Sequence, residues 1–188
     1  MAVLPIRISG DPVLHAVAHP VVDFDNALHT LVDDMFDTMR EAPGVGLAAP
    51  QVGVPLRLFV FNWVDDAETL WRGVAINPEL WLSPTPAGDA DEDEEAEGCL
   101  SVPGERFPLK RAELATLRAV DLAKKPFEIR AEGWLARIFQ HEYDHLEGTL
   151  YVDRLGIEYD KPLAKVFRKK GWGVPGQSWM PGEDDLEA

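Results

Sequence analysis

Two histidines four residues apart constrain this chain more than any other feature of its sequence. They stand in the run His141-Glu142-Tyr143-Asp144-His145, within residues 134–146, which read as a helix that Gly148 ends. Residues four apart share one helix face, so both imidazoles can hold one metal ion. Glu142 is rotated about 100° from His141. It can therefore approach the ion without being a ligand, as a general base must.

An open catalytic metal site has three protein ligands, so the two histidines need a third. In a metalloprotease with the longer histidine pattern, that ligand would stand where this chain has Tyr151. Asp153 and Glu158, further downstream, are the candidates that a different zinc peptidase would use. Cys99 is the alternative donor, because Gly98 lets the backbone pass close to a metal and a thiolate is a stronger ligand than a carboxylate.

Length and composition limit the classes of protein. The chain has 188 residues, 46% of them hydrophobic, which fits a single catalytic domain over residues 1–188. We find no signal peptide and no apolar run of membrane-spanning length, so we expect a cytoplasmic protein without a membrane partner. The net charge of −15 argues against DNA as a partner. With one cysteine, Cys99, no internal disulfide can form.

Much of the negative charge is local. We predict an acidic loop over about residues 87–97 and an acidic end to the chain, both of the kind that usually solvates an exposed segment. The acidic residues are Asp89, Asp91, Glu92, Asp93, Glu94, Glu95 and Glu97 in the loop, and Glu183, Asp184, Asp185 and Glu187 at the end.

Apolar spacing predicts the remaining elements. Residues 26–40 have the pattern of an amphipathic helix. Strands are predicted at 56–61 and 71–80, which would form a hairpin, and at 115–120 and 127–131. Strands followed by one internal helix indicate an α+β fold with mainly antiparallel sheets.

Three segments of the chain belong together: Gly44-Val45-Gly46-Leu47-Ala48-Ala49-Pro50-Gln51, Glu97-Gly98-Cys99-Leu100-Ser101 and Gln140-His141-Glu142-Tyr143-Asp144-His145. They resemble the signature motifs of peptide deformylases, in the same order and without a gap. The similarity covers roughly residues 1–155 and implies a central metal-binding helix between antiparallel sheets. It also implies N-formylmethionyl nascent peptides as substrate and Fe²⁺ as native ion, with Zn²⁺, Ni²⁺ or Co²⁺ possible in purified protein.

The resemblance implies roles for the motif residues. Glu142 would take a proton from water and pass it to the leaving amine. The side-chain amide of Gln51 and the backbone N–H of Leu100 would stabilise the oxyanion. Without the resemblance, Gln51 is more simply a polar residue closing a turn before Gly53. The ligands of the ion would be Cys99, His141 and His145.

Substrate contacts are expected from several segments. In this family the first motif lines the substrate, although its glycines could instead end the preceding helix. Trp134, Arg137 and Ile138 share the helix face of His141 and are candidates for a methionine pocket, with the Arg137 guanidinium reaching solvent over its alkyl stem. A core or surface role suits Trp134 equally. The substrate-binding candidates are Gly44, Val45, Gly46, Gly98, Arg106, Trp134, Arg137 and Ile138. By similarity, Glu97 and Arg111 orient the metal ligands.

A basic cluster lies in the C-terminal helix and tail, about residues 159–188. Leu163, Val166 and Phe167 recur at helical spacing, which predicts an amphipathic helix over 161–170. Its cations form either an ordinary solvated face or a ribosome contact, since some family members dock there through a basic C-terminal helix. The cations are Lys161, Lys165, Arg168, Lys169 and Lys170.

Overall fold

The computed structural model describes residues 2–184 and residue 186, so Asp185 and Glu187 of the expected acidic end lie outside the described residues. The helices are α1 (Asn26–Glu41), α2 (Gly133–Leu146) and α3 (Asp160–Lys170). The strands are β1 (Ile6–Arg7), β2 (Gly46–Ala48), β3 (Leu58–Val64), β4 (Leu70–Leu82), β5 (Ala96–Gly98), β6 (Arg106–Pro108), β7 (Leu114–Val120), β8 (Pro126–Glu132) and β9 (Ser178–Trp179).

The strands form antiparallel sheets. The largest has the order β2-β3-β4-β7-β8, and two smaller sheets pair β1 with β9 and β5 with β6. The predicted hairpin is confirmed as β3 and β4, and the other two predicted strands pair as β7 and β8. The α+β class with mainly antiparallel sheets is therefore confirmed.

Helix α2 packs against the large sheet and is almost completely buried. Phe139 is fully buried, and its ring lies 5.2 Å from that of Phe61 in an edge-to-face arrangement, with Phe59 at 6.2 Å. Burying one such aromatic side chain contributes about 1.5–3 kcal/mol. Gly148, with φ of 71°, follows the C-terminal end of the helix, as its sequence position predicts. The sheet thus fixes the position of the helix that carries both histidines.

Helix α1 begins at a capped N-terminus, because the Asp25 carboxylate accepts a hydrogen bond from the N–H of Leu28 at 3.0 Å. Its apolar face packs against β2 and β3. The helix ends at Glu41, so Gly46 is not a helix end but the first residue of β2.

The acidic loop ends at Glu95, before the predicted end at residue 97. Strand β5 begins at Ala96, and Glu97 is 3% exposed, so it does not solvate a loop. Glu95 is also engaged, with Lys110 at 2.8 Å. No helix in the described part of the chain is long and apolar enough to span a membrane.

Candidate metal centre

Three side chains that can bind a metal meet beside α2. His141 and His145 lie one turn apart on that helix, and Cys99 directly follows β5. The distance from Cys99 Sγ to His145 Nε2 is 3.3 Å, and that between the two Nε2 atoms is 3.2 Å. All three residues are buried, and their donor atoms lie within 4.8 Å of one another. The fold therefore brings together the donors that the motifs implied.

The spacing of these donors fits one tetrahedral ion. With zinc bond lengths of about 2.3 Å to sulfur and 2.0–2.1 Å to nitrogen, a tetrahedron separates its donor atoms by roughly 3.3–3.6 Å. The observed separations of 3.2 and 3.3 Å are close to these values. Three protein donors also leave one position open, which is the arrangement of catalytic rather than structural sites.

The alternative third ligands lie elsewhere. The Asp153 carboxylate accepts a hydrogen bond from the N–H of Leu150 at 2.8 Å and caps a short 3-10 helix. Glu158 is exposed. Tyr151, where the longer metalloprotease pattern needs a histidine, is buried with its ring stacked 6.0 Å from that of His141.

Glu142 follows His141 on α2 and lines the same cavity as His141 and Cys99. It is buried, and its Oε2 has no hydrogen-bond partner among the described residues. Strand β2 passes so close that a Cβ atom at Gly46 would overlap the Glu142 carboxylate. Burial raises the pKa of Glu142 to about 7, although the neighbouring His141 opposes the rise. A carboxyl group with this pKa exchanges protons near neutral pH, as acid–base catalysis requires.

A buried ionic network fixes His141. Its Nδ1 lies 2.7 Å from Oε1 of Glu97, and Arg111 donates to both oxygens of that carboxylate, at 2.7 and 3.1 Å. Arg111 also binds Asp144 at 2.7 Å, and Arg154 donates two further hydrogen bonds to Asp144. Burial alone would raise the pKa of Glu97, but His141 and Arg111 outweigh it and hold that pKa well below its usual range. The ionised carboxylate favours the His141 tautomer whose Nε2 is free to bind metal.

Gln51, the last residue of the first motif, also faces the metal centre. It lies in a 3-10 helix, Ala49–Val52, immediately after β2. Its Oε1 accepts a hydrogen bond from the N–H of Ala48 at 2.8 Å, which turns Nε2 toward Sγ of Cys99 at 3.7 Å and Oγ of Ser101 at 3.4 Å. The amide therefore both supports the turn and presents its donor to the metal centre.

Leu100 is hydrogen-bonded to Trp179, a residue that the sequence patterns did not indicate. Its carbonyl accepts a hydrogen bond at 2.8 Å from the indole N–H of Trp179 in β9. Trp179 is 4% exposed and belongs to the core that includes α1. No local pattern predicts the contact, because the two residues are 79 positions apart in the chain.

A cavity of about 630 Å³ opens beside the donor atoms and has the size of a small-ligand site. Trp134, 42% exposed, faces Trp63 at its edge with ring centroids 6.4 Å apart. All eight residues predicted to contact substrate line the cavity: Gly44, Val45, Gly46, Gly98, Arg106, Trp134, Arg137 and Ile138.

Arg137 departs from its prediction. Only 10% of its side chain is exposed, so the guanidinium does not reach solvent over the alkyl stem. Nη1 donates to Oε2 of Glu97 at 3.0 Å and to the Leu109 carbonyl at 2.7 Å, while Nη2 donates to Glu95 at 3.3 Å. A charge placed in a buried position needs such partners, and the carboxylates before Cys99 supply them.

Comparisons with known proteins agree with this geometry. Residues 3–159 match the family described as Polypeptide deformylase. Peptide deformylases of Tropheryma whipplei and Mycolicibacterium smegmatis are each 50% identical to this chain, over 96% and 97% of it and over 94% and 96% of the relatives.

Solved structures give the same result. A peptide deformylase from Legionella pneumophila superposes with a TM-score of 0.77 at 44% identity, over 90% of this chain and 96% of that one. One from Ehrlichia chaffeensis, in complex with actinonin, has a TM-score of 0.78 at 36% identity, over 90% and 99% of the two chains. The chain carries the three motifs, the fold and three donors that could hold a metal ion, and it belongs to the peptide deformylase family of metal-dependent hydrolases.

Proposed function

We propose that this chain removes the N-formyl group from the N-terminal methionine of newly synthesised polypeptides and releases formate. The observation that carries the proposal is the convergence of Cys99, His141 and His145 beside a buried Glu142 oxygen that has no partner among the described residues. Family membership and the adjoining cavity support it. Because its substrate is made in the cytoplasm, we place the activity there.

The proposed ligands of the ion are Cys99, His141 and His145, and we take Fe²⁺ as the native ion. A thiolate with two imidazoles also suits Zn²⁺, Ni²⁺ or Co²⁺, any of which can occupy the site in purified protein. The ion supplies Lewis-acid chemistry, since it acidifies water and polarises a carbonyl oxygen.

Glu142 moves the proton in the proposed reaction. Its free Oε2 accepts a proton from the attacking water as the water oxygen bonds to the formyl carbon. When the C–N bond of the formamide breaks, Glu142 returns that proton to the leaving amine. The products are formate and a polypeptide with a free N-terminus.

Gln51 and Leu100 are the proposed donors to the oxyanion formed on the substrate. The Gln51 amide is 1% exposed and its orientation is fixed by Ala48, so Nε2 is already directed at the site. The Leu100 segment is fixed by Trp179. Donors that need no rearrangement are worth roughly 2.7–4 kcal/mol each in the transition state.

The substrate backbone is proposed to run along β2 as an added strand, which binds many sequences because the hydrogen bonds are made by main chains. Gly46 begins β2 and also leaves room for the Glu142 carboxylate, and Gly44 and Val45 just before it are further proposed backbone contacts. The methionine side chain would contact Trp134 and Ile138. Gly98 and Arg106, which also line the cavity, are the remaining proposed contacts.

The test is formate release from a formyl-Met tripeptide by anaerobically purified protein with its metal content measured. The same peptide without the formyl group is the control. Stoichiometric formate with no internal cleavage supports the proposal. Cleavage of the unformylated peptide would identify a zinc peptidase, and bound metal without formate release would identify a metal-binding module.

We also propose that α3 contacts the ribosome, where the formylated terminus emerges. Leu163 and Phe167 pack against the core, whereas all five cations of the helix are exposed. Four of these cations line a cleft of about 660 Å³. A face with this charge suits RNA phosphates, even though the whole chain is acidic.

Co-sedimentation with ribosomes at low and high salt tests this contact. We expect wild-type protein to sediment at low salt and to dissociate steeply as salt rises, because each phosphate contact releases counterions. A variant with Lys165, Arg168 and Lys169 changed to Glu should stay in the supernatant. Equal sedimentation of both proteins would dismiss α3 as the docking element.

A further inference from the structure

The carboxylate of Glu97 accepts four hydrogen bonds from three side chains. Oε1 receives Nδ1 of His141 and Nη2 of Arg111, each at 2.7 Å. Oε2 receives Nε of Arg111 at 3.1 Å and Nη1 of Arg137 at 3.0 Å. Each carboxylate oxygen has two lone pairs, so the acceptor capacity of Glu97 is filled.

Arg137 has a distinct part in this arrangement. The terminal torsion of a glutamate is broad, so the hydrogen-bond partners decide where the carboxylate oxygens point. Arg111 is shared between Glu97 and Asp144, and its bond to Oε2 is the longest of the four. Without Arg137, Oε2 would keep only that bond, and the carboxylate could rotate Oε1 away from the imidazole of His141.

Arg137 is itself rigidly anchored. It lies one helical turn before His141 on α2, and its guanidinium binds the Leu109 carbonyl at 2.7 Å and Glu95 at 3.3 Å. The same guanidinium carbon lies 5.3 Å from the ring centroid of Trp134. Contacts on several sides fix the donor that Glu97 uses.

We infer that Arg137 is a positioning residue for the metal ligand His141, acting through Glu97. The inference rests on the proposed ligand set and gives Arg137 a task other than lining the methionine pocket. Loss of its guanidinium weakens ion binding, whatever it does to substrate affinity.

Titration of the metal-free protein with Co²⁺ against a chelator, for wild type, Arg137→Met and Arg137→Lys, tests the inference. We expect Arg137→Met to bind Co²⁺ about 10–100-fold more weakly, the usual result of removing a group that orients a ligand. Arg137→Lys should fall in between, because one ammonium cannot replace three guanidinium contacts. The matched control is Arg130→Met, whose side chain is 85% exposed and pairs only with Glu128 among the described residues, and it should bind like wild type.

The outcomes separate the two proposals. If wild-type protein takes up no stoichiometric Co²⁺, the ligand set itself is wrong. If wild type binds Co²⁺ and Arg137→Met binds it equally tightly, or if only the KM for formyl peptide rises, the positioning role of Arg137 is wrong. Should Arg137→Met fail to fold, the Co²⁺ dissociation rate of Arg137→Lys decides: a faster rate than wild type supports the inference, and an equal rate overturns it.

Discussion

Helices α2 and α3 were both predicted from the sequence, yet they place their charges in opposite environments. Eleven of the fourteen residues of α2 are buried, whereas α3 has no buried residue. On α2, Arg137 pairs with Glu97 and Asp144 pairs with Arg111. A buried charge is costly unless it is paired, whereas an exposed charge is solvated by water. On α2 the partners of Arg137 and Asp144 therefore indicate what these residues do, as does the lack of a partner for Oε2 of Glu142 among the described residues, while on α3 only the charge pattern is informative.

The largest effect should follow from removing one of the proposed metal ligands, all of which are buried. Cys99→Ala and His145→Ala are each expected to lose most of the bound metal and all measurable formate release, because two ligands hold a divalent ion far more weakly than three. Metal analysis by atomic emission, together with the formate assay, checks this. A Cys99→Ala protein with a full equivalent of metal would remove the thiolate from the ligand set.

A smaller loss is expected at Gln51, which touches the site without being a ligand. Gln51→Leu should keep its metal and lose about 10²–10³-fold in kcat, the usual cost of one oxyanion donor. It also leaves the N–H of Ala48 without its acceptor, so the melting temperature must be measured in parallel. Wild-type kcat in a folded, metal-loaded Gln51→Leu protein would assign Gln51 to the turn alone.

The smallest effect should come from α3. Changing Lys165, Arg168 and Lys169 to Glu is expected to leave kcat/KM on a formyl-Met tripeptide and the metal content within twofold of wild type, since these side chains are exposed. Steady-state kinetics on the short peptide checks this. A large loss of kcat/KM would show that α3 supports the catalytic site. It would contradict the contrast between the buried charges of α2 and the exposed charges of α3.

Local periodicity was enough to predict much of the fold. The apolar stripe of residues 26–40 specifies a helix because one of its faces must meet the core, and the continuous apolar run at the start of β3 specifies a strand that is buried on both faces. The two histidines and Glu142 were predictable for a similar reason, since helical spacing alone places them together. Contacts between residues one helical turn apart can therefore be predicted from the sequence.

Partners distant in the chain were not predictable from local patterns. The C-terminal strand β9 pairs with β1, and its Trp179 holds Leu100, although nothing near either residue indicates the other. Arg137 was predicted to reach solvent because its partner Glu97 lies 40 positions away, in a run that composition assigns to a solvated loop. The sequence did contain one signal for this pairing. Arg137 shares the helix face of the proposed metal ligand His141, and a cation that is buried on such a face needs a carboxylate partner.

The most direct test of the account is the Glu142→Gln variant, assayed for metal content and formate release on the same sample. The amide keeps the size of the side chain but cannot accept and return the proton. We predict one equivalent of metal, an unchanged melting profile and a kcat at least about 10²-fold below wild type. Loss of the metal, or full activity with the metal in place, would contradict the proposal that Glu142 is the acid–base group beside a Cys99, His141 and His145 centre.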